Sequence, residues 1–171
     1  MNRKIDHLRI CLNQYVQMRY KTPGFEDVNL IHEALPDFSL DEVDTAVDFL
    51  GWRLSMPLII SAMTGGTEEA AKINASLAEA AERLGIAMAV GSQRVAIEDP
   101  TRTYSFKIAR EKASKTFLIA NIGCAQLVAQ GLEPAYKAVE MIRADALSVH
   151  LNALQEAVQL EGEAGFRGAL K

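Results

Sequence analysis

The chain of 171 residues is long enough for one domain with a sizeable core. Its formal net charge of −4 gives no support to a nucleic-acid partner, so any bound anion must be held by local groups. Hydrophobic residues make up 49% and charged residues 23% of the chain, as in ordinary soluble globular proteins. The basic start is not followed by an apolar run, and the longest apolar stretches are too short to span a bilayer. We therefore expect a cytoplasmic protein without a membrane partner.

The two cysteines, Cys11 and Cys124, lie far apart in the sequence and without metal-ligand spacing. We expect both to be buried small hydrophobic residues, in keeping with a reducing cytosol. The sequence gives no reason to expect a disulfide framework or a zinc site.

The first fifty or so residues lack a repeating pattern. We interpret residues 1–56 as an N-terminal extension that packs on a larger domain. Residues 5–20 form a mixed polar segment that is partly helical at its start, and Thr22-Pro23-Gly24 favours a turn. A short strand is predicted near residues 45–49, with Gly51 as the turn after it.

From residue 57 onward, short apolar runs alternate with helical patterns. One helix is predicted with Glu68 and Glu69 in its first turn and Gly85 at its end. A second covers residues 102–113, and Glu133-Pro134 opens a third. Strand centres recur about every thirty residues, the size of a βαβ unit, which predicts a parallel sheet that is doubly wound or closed as a barrel. The four predicted strands are residues 58–62, 86–90, 116–120 and 145–149.

Polar or flexible residues follow the carboxyl end of each predicted strand. Active sites of barrels and of open α/β sheets are built at this edge, so we expect a binding site there. Short loops between strands and helices are polar in any case, which is the alternative explanation. The residues concerned are Met63-Thr64-Gly65-Gly66, Ser92-Gln93-Arg94, Asn121, and His150, Asn152, Gln155 and Glu156.

Two of these motifs admit two interpretations each. The N–H groups of Thr64-Gly65-Gly66 could approach a flat or anionic ligand, or the motif could be a tight turn between strand and helix. It is neither a P-loop nor a dinucleotide-binding motif. Ser92-Gln93-Arg94 suits a phosphate oxygen, unless Arg94 pairs with Glu98 or Asp99 in the same loop.

The polar residues near the fourth strand and at the N-terminus also admit two interpretations. His150-Leu151-Asn152 places His150 and Asn152 on one side of a strand end, with Gln155 and Glu156 projecting from the turn beyond. These groups could bind hydrated Mg²⁺ and a polar substrate, or form a satisfied polar strand end with Glu156 solvated. The basic cluster of Arg3-Lys4 and His7 could clamp a diphosphate or be an ordinary solvated terminus.

Taken together, these residues resemble the type 2 isopentenyl-diphosphate isomerases, an FMN-dependent family. The similarity spans nearly the whole chain in order. It implies an α/β fold in which residues 57–171 form the N-terminal half, the first four β/α units, of a TIM (β/α)8 barrel behind the N-terminal extension. The blocks that carry it are Arg3-Lys4 with His7, residues 30–36, 61–66 and 87–94, Asn121, and His150-Leu151-Asn152 with Gln155-Glu156.

The resemblance also implies a role for each of these residues. The family interconverts isopentenyl and dimethylallyl diphosphate with FMN and Mg²⁺, and NAD(P)H reduces the flavin. Glu156 is the expected Mg²⁺ ligand, and His150 and Gln155 are the candidate catalytic side chains. The residues expected to contact FMN are Ala62, Met63, Thr64, Ser92 and Asn121. Those expected to contact the small-molecule diphosphate are Arg3, Lys4, His7, Arg94, His150, Asn152 and Gln155.

Further expectations follow from the same resemblance. The flavin is expected to be the principal acid–base group, and the full-length enzyme is expected to be a homo-oligomer. A flavin-contacting lysine and the glycine-rich FMN phosphate loops of the family would lie beyond residue 171, so we expect little or no turnover from the chain alone. The alternatives are a non-catalytic half-barrel fragment or another FMN-dependent barrel, such as an α-hydroxy-acid oxidase or an IMP-dehydrogenase relative.

Overall fold

The chain divides into two compact units, Met1–Thr45 and Ala46–Lys171. A computed structural model of the protein describes residues 3–159, 162 and 165–170, and describes Arg3 and Lys4 by their backbone alone. The predicted boundary between the extension and the barrel, at residues 56 and 57, stays a prediction.

In its described residues, the first unit contains one α-helix, α1 (Arg3–Asn13), and two short 3₁₀ helices, Phe25–Asp27 and Leu40–Glu42. Helix α1 confirms the predicted helical start of the extension. None of residues 5–45 is buried, and Leu30 and Ile31 are 90% and 98% exposed. The described part of this unit therefore has no apolar core of its own.

The second unit begins with a β-hairpin. Strand β1 (Val47–Phe49) pairs antiparallel with β2 (Trp52–Leu54), with Phe49 opposite Trp52. Leu50 and Gly51 connect the strands with φ angles of +49° and +82°. Two positive φ angles are typical of the type I′ turn, whose twist matches that of the strands. The first strand and the Gly51 turn were predicted from the sequence, and the second strand was not.

Four parallel strands form the central sheet. They are β3 (Ile59–Ile60), β4 (Ala87–Ala89), β5 (Leu118–Gly123) and β6 (Ala146–His150), and they are hydrogen-bonded neighbours in that order. All four predicted strands are present, with their ends shifted. The fold class is therefore α/β with a parallel sheet, as expected.

Helices connect these strands and follow the last one. Helix α2 is bounded as its sequence predicts: Thr67 accepts a hydrogen bond from the N–H of Ala70 at 3.1 Å, and Gly85 ends the helix with φ +63°. Beyond the predicted helices, the structure contains α3, α5 and α7. The helices of the second unit are α2 (Glu68–Leu84), α3 (Arg94–Glu98), the 3₁₀ helix Pro100–Arg102, α4 (Tyr104–Lys112), α5 (Cys124–Gln130), α6 (Glu133–Ile142) and α7 (Ala153–Val158).

The main apolar core lies on the helix side of the sheet. Met88 and Leu118 point from the strands into this core, where they are fully buried. Phe106 of α4 fills the space beside the loop after β3, since a Cβ at Gly65 would lie 2.0 Å from its ring. Alanines on the packed helix faces allow close approach of the helices. They include Ala78, Ala81, Ala109, Ala113 and Ala138.

The opposite face of the sheet packs on the hairpin. Leu54 joins Ala87 and Phe117 in a second buried cluster. The ring of Phe117 meets Phe49 and Trp52 edge to face, with centroids 5.4 and 5.6 Å apart. Phe117 directly precedes β5, so the hairpin covers this face at the amino end of the strands.

The two cysteines differ in environment. Cys124 is buried at the start of α5, as predicted, and Cys11 is exposed on α1. The prediction that both are buried is wrong for Cys11, because α1 belongs to a unit whose described residues form no core.

Arg110 is a buried cation that holds the amino end of the sheet together. Its Nη2 donates to Asp145 Oδ2 at 2.7 Å, and Asp145 Oδ2 also accepts from the N–H of Leu118 at 2.9 Å. The guanidinium satisfies main-chain oxygens at two chain segments, which a lysine could not span with its single ammonium. These oxygens belong to Ala113, Ser114, Thr116, Ile142 and Arg143.

Replacing Arg110 by Met is expected to lower the free energy of unfolding by about 3 kcal/mol, because it leaves Asp145 and several carbonyls without their donor. Urea unfolding followed by circular dichroism measures this change. The control is Lys72→Met, which removes an exposed, solvent-screened ion pair with Glu68 and should leave the stability almost unchanged. Equal losses in the two variants would contradict the assigned role of Arg110.

Candidate functional site

The carboxyl ends of the four parallel strands share one edge of the sheet. We call this edge the mouth, and it comprises residues 61–67, 90–94, 121–123 and 148–156. The structure brings to it every predicted site residue of the second unit. His7 lies on α1 in the first unit and is exposed, and the side chains of Arg3 and Lys4 lie outside the described part of the chain. A mouth position for these three stays a prediction.

The loops after β3 and β4 are fastened to each other at the mouth. The N–H of Gly91 donates to the carbonyl of Thr64 at 3.3 Å, and Asn74 Nδ2 donates to the same oxygen at 3.2 Å. A Cβ at Gly91 would lie 2.7–2.8 Å from the Thr64 main chain. Thr64 is consequently buried, and Met63 is 68% exposed at the mouth.

The glycines of Thr64-Gly65-Gly66 serve the turn itself. The N–H of Gly66 donates to Ser105 Oγ at 2.7 Å, and the carbonyl of Gly66 accepts from Arg102 Nη1 at 3.3 Å. Gly65 makes room for the Phe106 ring. These contacts favour the tight-turn interpretation over an N–H cradle, because the Gly66 N–H already has a protein acceptor.

Of the three polar residues after β4, Gln93 and Arg94 have different surroundings. Gln93 is fully buried and bonded within the protein. Arg94 opens α3 with a partly exposed side chain, and its Nε lies 3.9 Å from Glu98 Oε1. Asp99 instead pairs with Arg102 at 2.9 Å, and hydrogen bonds from Thr101 and Arg102 lower the pKa of Asp99. Of the two predicted partners, Arg94 therefore contacts Glu98.

Strands β5 and β6 present their polar residues on the face of the sheet opposite the helices. Ile119 and Ala146 belong to the hairpin cluster, so alternation places Asn121, Ser148 and His150 on the same face. The register supports this, because Asn121 pairs with Ser148 and Gly123 with His150. Asn121 is buried, and His150 is exposed.

Asn152 caps the helix that follows β6. Its Oδ1 accepts from the N–H of Gln155 at 3.0 Å, and its Nδ2 donates to Gln155 Oε1 at 2.7 Å. The prediction that Gln155 and Glu156 project from a turn is wrong, because both lie in the first turn of α7. The amide cap starts a helix there. Gln155 and Glu156 are half-buried.

Comparison with known proteins identifies the family. Residues 2–129 match the sequence profile of the FMN-dependent dehydrogenase family. The chain belongs to this family.

Curated relatives confirm the resemblance to isopentenyl-diphosphate isomerases. The isopentenyl-diphosphate delta-isomerase of Methanosarcina barkeri is 50% identical over 168 residues, which cover 98% of this chain and 46% of the relative. That of Archaeoglobus fulgidus is 53% identical over 161 residues, covering 94% of this chain and 46% of the relative. The chain thus spans about half the length of the curated relatives that it matches.

The FMN-dependent dehydrogenase family implies FMN as the cofactor, and the chemistry of the mouth fits its ring. An isoalloxazine has an apolar edge and a polar edge. The exposed thioether of Met63 offers apolar surface, and Ser92 and Asn121 offer a hydroxyl and an amide. A flat ligand with one edge of each kind matches this donor set.

For a metal ion, the described residues contain no group of three or more His, Cys, Asp or Glu that could hold one. Glu156, in the first turn of α7, places one carboxylate at the mouth. Mg²⁺ suits such a site when substrate phosphates supply further oxygens.

In the described chain, no helix is long and apolar enough to cross a membrane.

Two residues at the mouth were not predicted as site residues. Ser148 lies between Ala146 and His150 on the open face of β6. The period-2 alternation of strands would have identified it from His150. Gln93 was noted only as part of a motif, and nothing in the sequence indicates its hydrogen-bond partners on α6.

Replacing Gly91 by Ala is expected to lower the free energy of unfolding by about 2 kcal/mol, because the added methyl group would meet the Thr64 main chain. Chemical denaturation measures the change. Gly165→Ala is the matched control, since a Cβ there meets nothing within 4 Å. A Gly91→Ala protein as stable as Gly165→Ala would show that the two loops are not in close contact.

Proposed function

We propose that the protein acts in the interconversion of isopentenyl and dimethylallyl diphosphate, with reduced FMN and Mg²⁺, in isoprenoid biosynthesis. The observation that carries the proposal is about 50% identity to curated isopentenyl-diphosphate delta-isomerases across nearly the whole chain. The polar residues at the mouth support it, because their chemistry suits a flat ring and a diphosphate.

The four strands are proposed to be the first half of an eight-stranded barrel. Three observations support this: the strands are parallel neighbours in chain order, helices cover one face, and a hairpin covers the other face at the amino ends. In closed barrels the outer face carries the helices and the active site lies at the carboxyl ends. The mouth has the corresponding position here.

The flavin ring is proposed to lie against the loops after β3, β4 and β5. Ala62, Met63, Thr64, Ser92 and Asn121 are the residues proposed to hold it. The bond between Gly91 and Thr64 supports this assignment, because it fixes two of these loops relative to each other. A preorganised surface loses less entropy when it binds a rigid ring.

The diphosphate is proposed to bind at local cations. The chain carries a net charge of −4, so long-range attraction would not assist an anionic substrate. Arg94 at the start of α3 can offer two parallel N–H groups to phosphate oxygens. The other proposed contacts are Arg3, Lys4 and His7 of the first unit and His150, Asn152 and Gln155 after β6.

Glu156 is the proposed Mg²⁺ ligand. It lies in the first turn of α7, one residue beyond Gln155, so both lie near the region where the diphosphate is proposed to bind. Mg²⁺ would neutralise the diphosphate and prevent its departure as a leaving group during the reaction.

The reaction moves a double bond: a proton is added at one terminal carbon and another is removed from the carbon next to the CH₂–O group. An isolated alkene is a very weak base, so the substrate must be held against a proton donor and a stabiliser of positive charge. Bound reduced FMN would supply the electron-rich ring for this proton exchange. Gln155 and His150 are proposed to orient the substrate and hold or relay a proton at the mouth. Their positions on α7 and at the end of β6 support these roles.

A second candidate function is FMN-dependent oxidation, which the description of the matching family favours. The two functions differ in electron balance. An isomerase converts its substrate without net consumption of NAD(P)H, which only reduces the flavin at the start. An FMN-dependent oxidation passes two electrons from its substrate through the flavin to one oxidant per turnover, so the stoichiometry of oxidant consumed to product separates them.

The function is tested with a fusion of residues 1–171 to the remaining part of the Methanosarcina barkeri relative. With FMN, Mg²⁺ and NADPH, we expect this fusion to convert isopentenyl diphosphate to dimethylallyl diphosphate, measured by mass spectrometry. We expect the 171 residues alone to show little or no turnover. A folded fusion that binds FMN but yields no dimethylallyl diphosphate would contradict the proposal. Light scattering on the same sample tests whether the fusion is a homo-oligomer, as proposed. A cytoplasmic location stays a prediction.

Arg94→Met in that fusion is expected to raise KM about 10–100-fold, because it removes a charge-assisted contact of about 1.5–3 kcal/mol to the diphosphate. Steady-state kinetics over a range of substrate concentrations measures the effect. Arg83→Met is the matched control: it removes the same charge at the exposed end of α2, near the amino ends of the strands. Similar KM values for the two variants would contradict a phosphate role for Arg94.

A further inference from the structure

Gln93 joins three elements of the second unit around the mouth. It lies between β4 and α3 and is 0% exposed. Its main-chain N–H donates to the carbonyl of Asn121 at 2.9 Å, and its side-chain Oε1 accepts from the N–H of Asn121 at 3.0 Å. Its Nε2 donates to the carbonyl of Ala138 on α6 at 2.8 Å, with Met141 Sδ at 3.4 Å.

These bonds continue the pairing of β4 and β5 beyond the ends of the ladder. The last register pair of these strands is Ala89 with Ile119, and the N–H of Val90 still donates to the carbonyl of Ile119 at 3.1 Å. Gln93 then takes both main-chain groups of Asn121, one with its main-chain N–H and the other with its side-chain Oε1. Gln93 therefore holds the main chain of Asn121 from the β4 side of β5, while β6 pairs with β5 on its other side.

Gln93 also fixes its own neighbours in the chain. Its main-chain carbonyl accepts from the N–H groups of Ala96 and Ile97, which starts α3. Ser92 and Arg94 flank it directly, and both are less buried than Gln93. An apolar residue of the same size would fill the space but would provide no side-chain bond to Asn121 or α6. The amide thus adds geometry that packing alone does not give.

We propose that Gln93 is a positioning residue for the site: through its bonds to Asn121 and α6 it sets the positions of Asn121, Ser92 and Arg94 toward the flavin and the diphosphate. The inference rests on the proposed function, which gives those three residues their roles. Gln93 itself is buried behind the mouth and is not proposed to touch either ligand.

Two variants test the proposal. Gln93→Met keeps the length of the side chain and removes both hydrogen-bonding groups. Gln93→Glu keeps the acceptor for Asn121 but, when ionised, cannot donate to Ala138. The assigned partners of Gln93 are uncharged, and burial raises the pKa of a carboxyl group. Once protonated, the carboxyl group of the Gln93→Glu variant can donate one hydrogen bond and accept another, as the glutamine does, so the wild-type behaviour should return as the pH falls.

The first measurement is amide hydrogen exchange in the 171-residue chain. We expect the protection of the Asn121 amide to fall about tenfold or more in Gln93→Met, because the amide loses its acceptor. In Gln93→Glu the ionised side chain can no longer donate to Ala138 and so is not held against α6, and the Asn121 protection relative to wild type should be higher at low pH than at high pH. If Gln93→Met does not fold, this pH comparison decides the question alone.

The second measurement is titration of the fusion described above with FMN. The flavin absorption spectrum is recorded, and the dissociation constant is obtained from it. We expect Gln93→Met to weaken binding about tenfold, a change of about 1.4 kcal/mol, and to alter the spectrum of any bound flavin. The control is Thr116→Val, which removes a partly buried 2.7 Å bond to Glu82 near the amino end of β5. It should lower stability while leaving Asn121 protection and the flavin spectrum unchanged.

The outcomes separate the two proposals. A folded wild-type fusion, as described above, that binds no FMN counts against the proposed function, and Asn121 protection still decides the role of Gln93. Wild-type Asn121 protection in Gln93→Met would overturn the positioning role. Effects in Thr116→Val that match those in Gln93→Met would also overturn it, because they would reflect general loss of stability.

Discussion

The parallel pairing of β3, β4, β5 and β6 in chain order is the constraint on which the rest of the second unit depends. Each connection must return to the start of the next strand, so helices cover one face and all carboxyl ends share one edge. The hairpin occupies the amino end of the other face through the contacts of Phe117 with Phe49 and Trp52. The carboxyl end of that face is left to polar residues such as Asn121 and Ser148.

Buried polar side chains connect the main chains of separate elements. Asn74 donates to the carbonyls of Thr64 and Ser105, and so ties α2 to the loop after β3 and to α4. Gln93 ties the loop after β4 to β5 and α6. At the opposite end of the sheet, Arg110 connects α4 to the end of α6 and to Asp145, which precedes β6. Buried polar groups without partners would be costly, so each of these side chains fixes one arrangement of its neighbours.

Local signals made much of the fold predictable. Apolar runs at a spacing of about thirty residues indicate the four strands, and Gly85 and Pro134 mark one helix end and one helix start. The second hairpin strand was missed because Trp52–Leu54 is short and its apolar residues pack against a strand far away in the sequence. Helix α3 was missed because it has only five residues, too few for a helical period to be visible.

The sequence placed the candidate residues at one edge but did not give their partners. From residue type alone, either Glu98 or Asp99 could be the ion-pair partner of Arg94. The short 3₁₀ helix Pro100–Arg102 decides between them, because it directs Asp99 toward Arg102. The bonds of Gln93 involve residues 28 and 45 positions away, so no local pattern reveals them. Long-range pairing of this kind is a property of the packed fold.

Two arginines near the sheet show how a chain of net negative charge can still present a cation to a diphosphate. Arg110 is buried, and its guanidinium is saturated by Asp145 and main-chain oxygens, so moving it would break many bonds. Arg94 is partly exposed, and its contact with Glu98 is 3.9 Å long. A partly exposed ion pair of this length contributes little stability, so exchanging Glu98 for a phosphate oxygen would cost little. The contact with Glu98 is therefore compatible with the proposed role, because it leaves the Arg94 side chain partly exposed at the mouth.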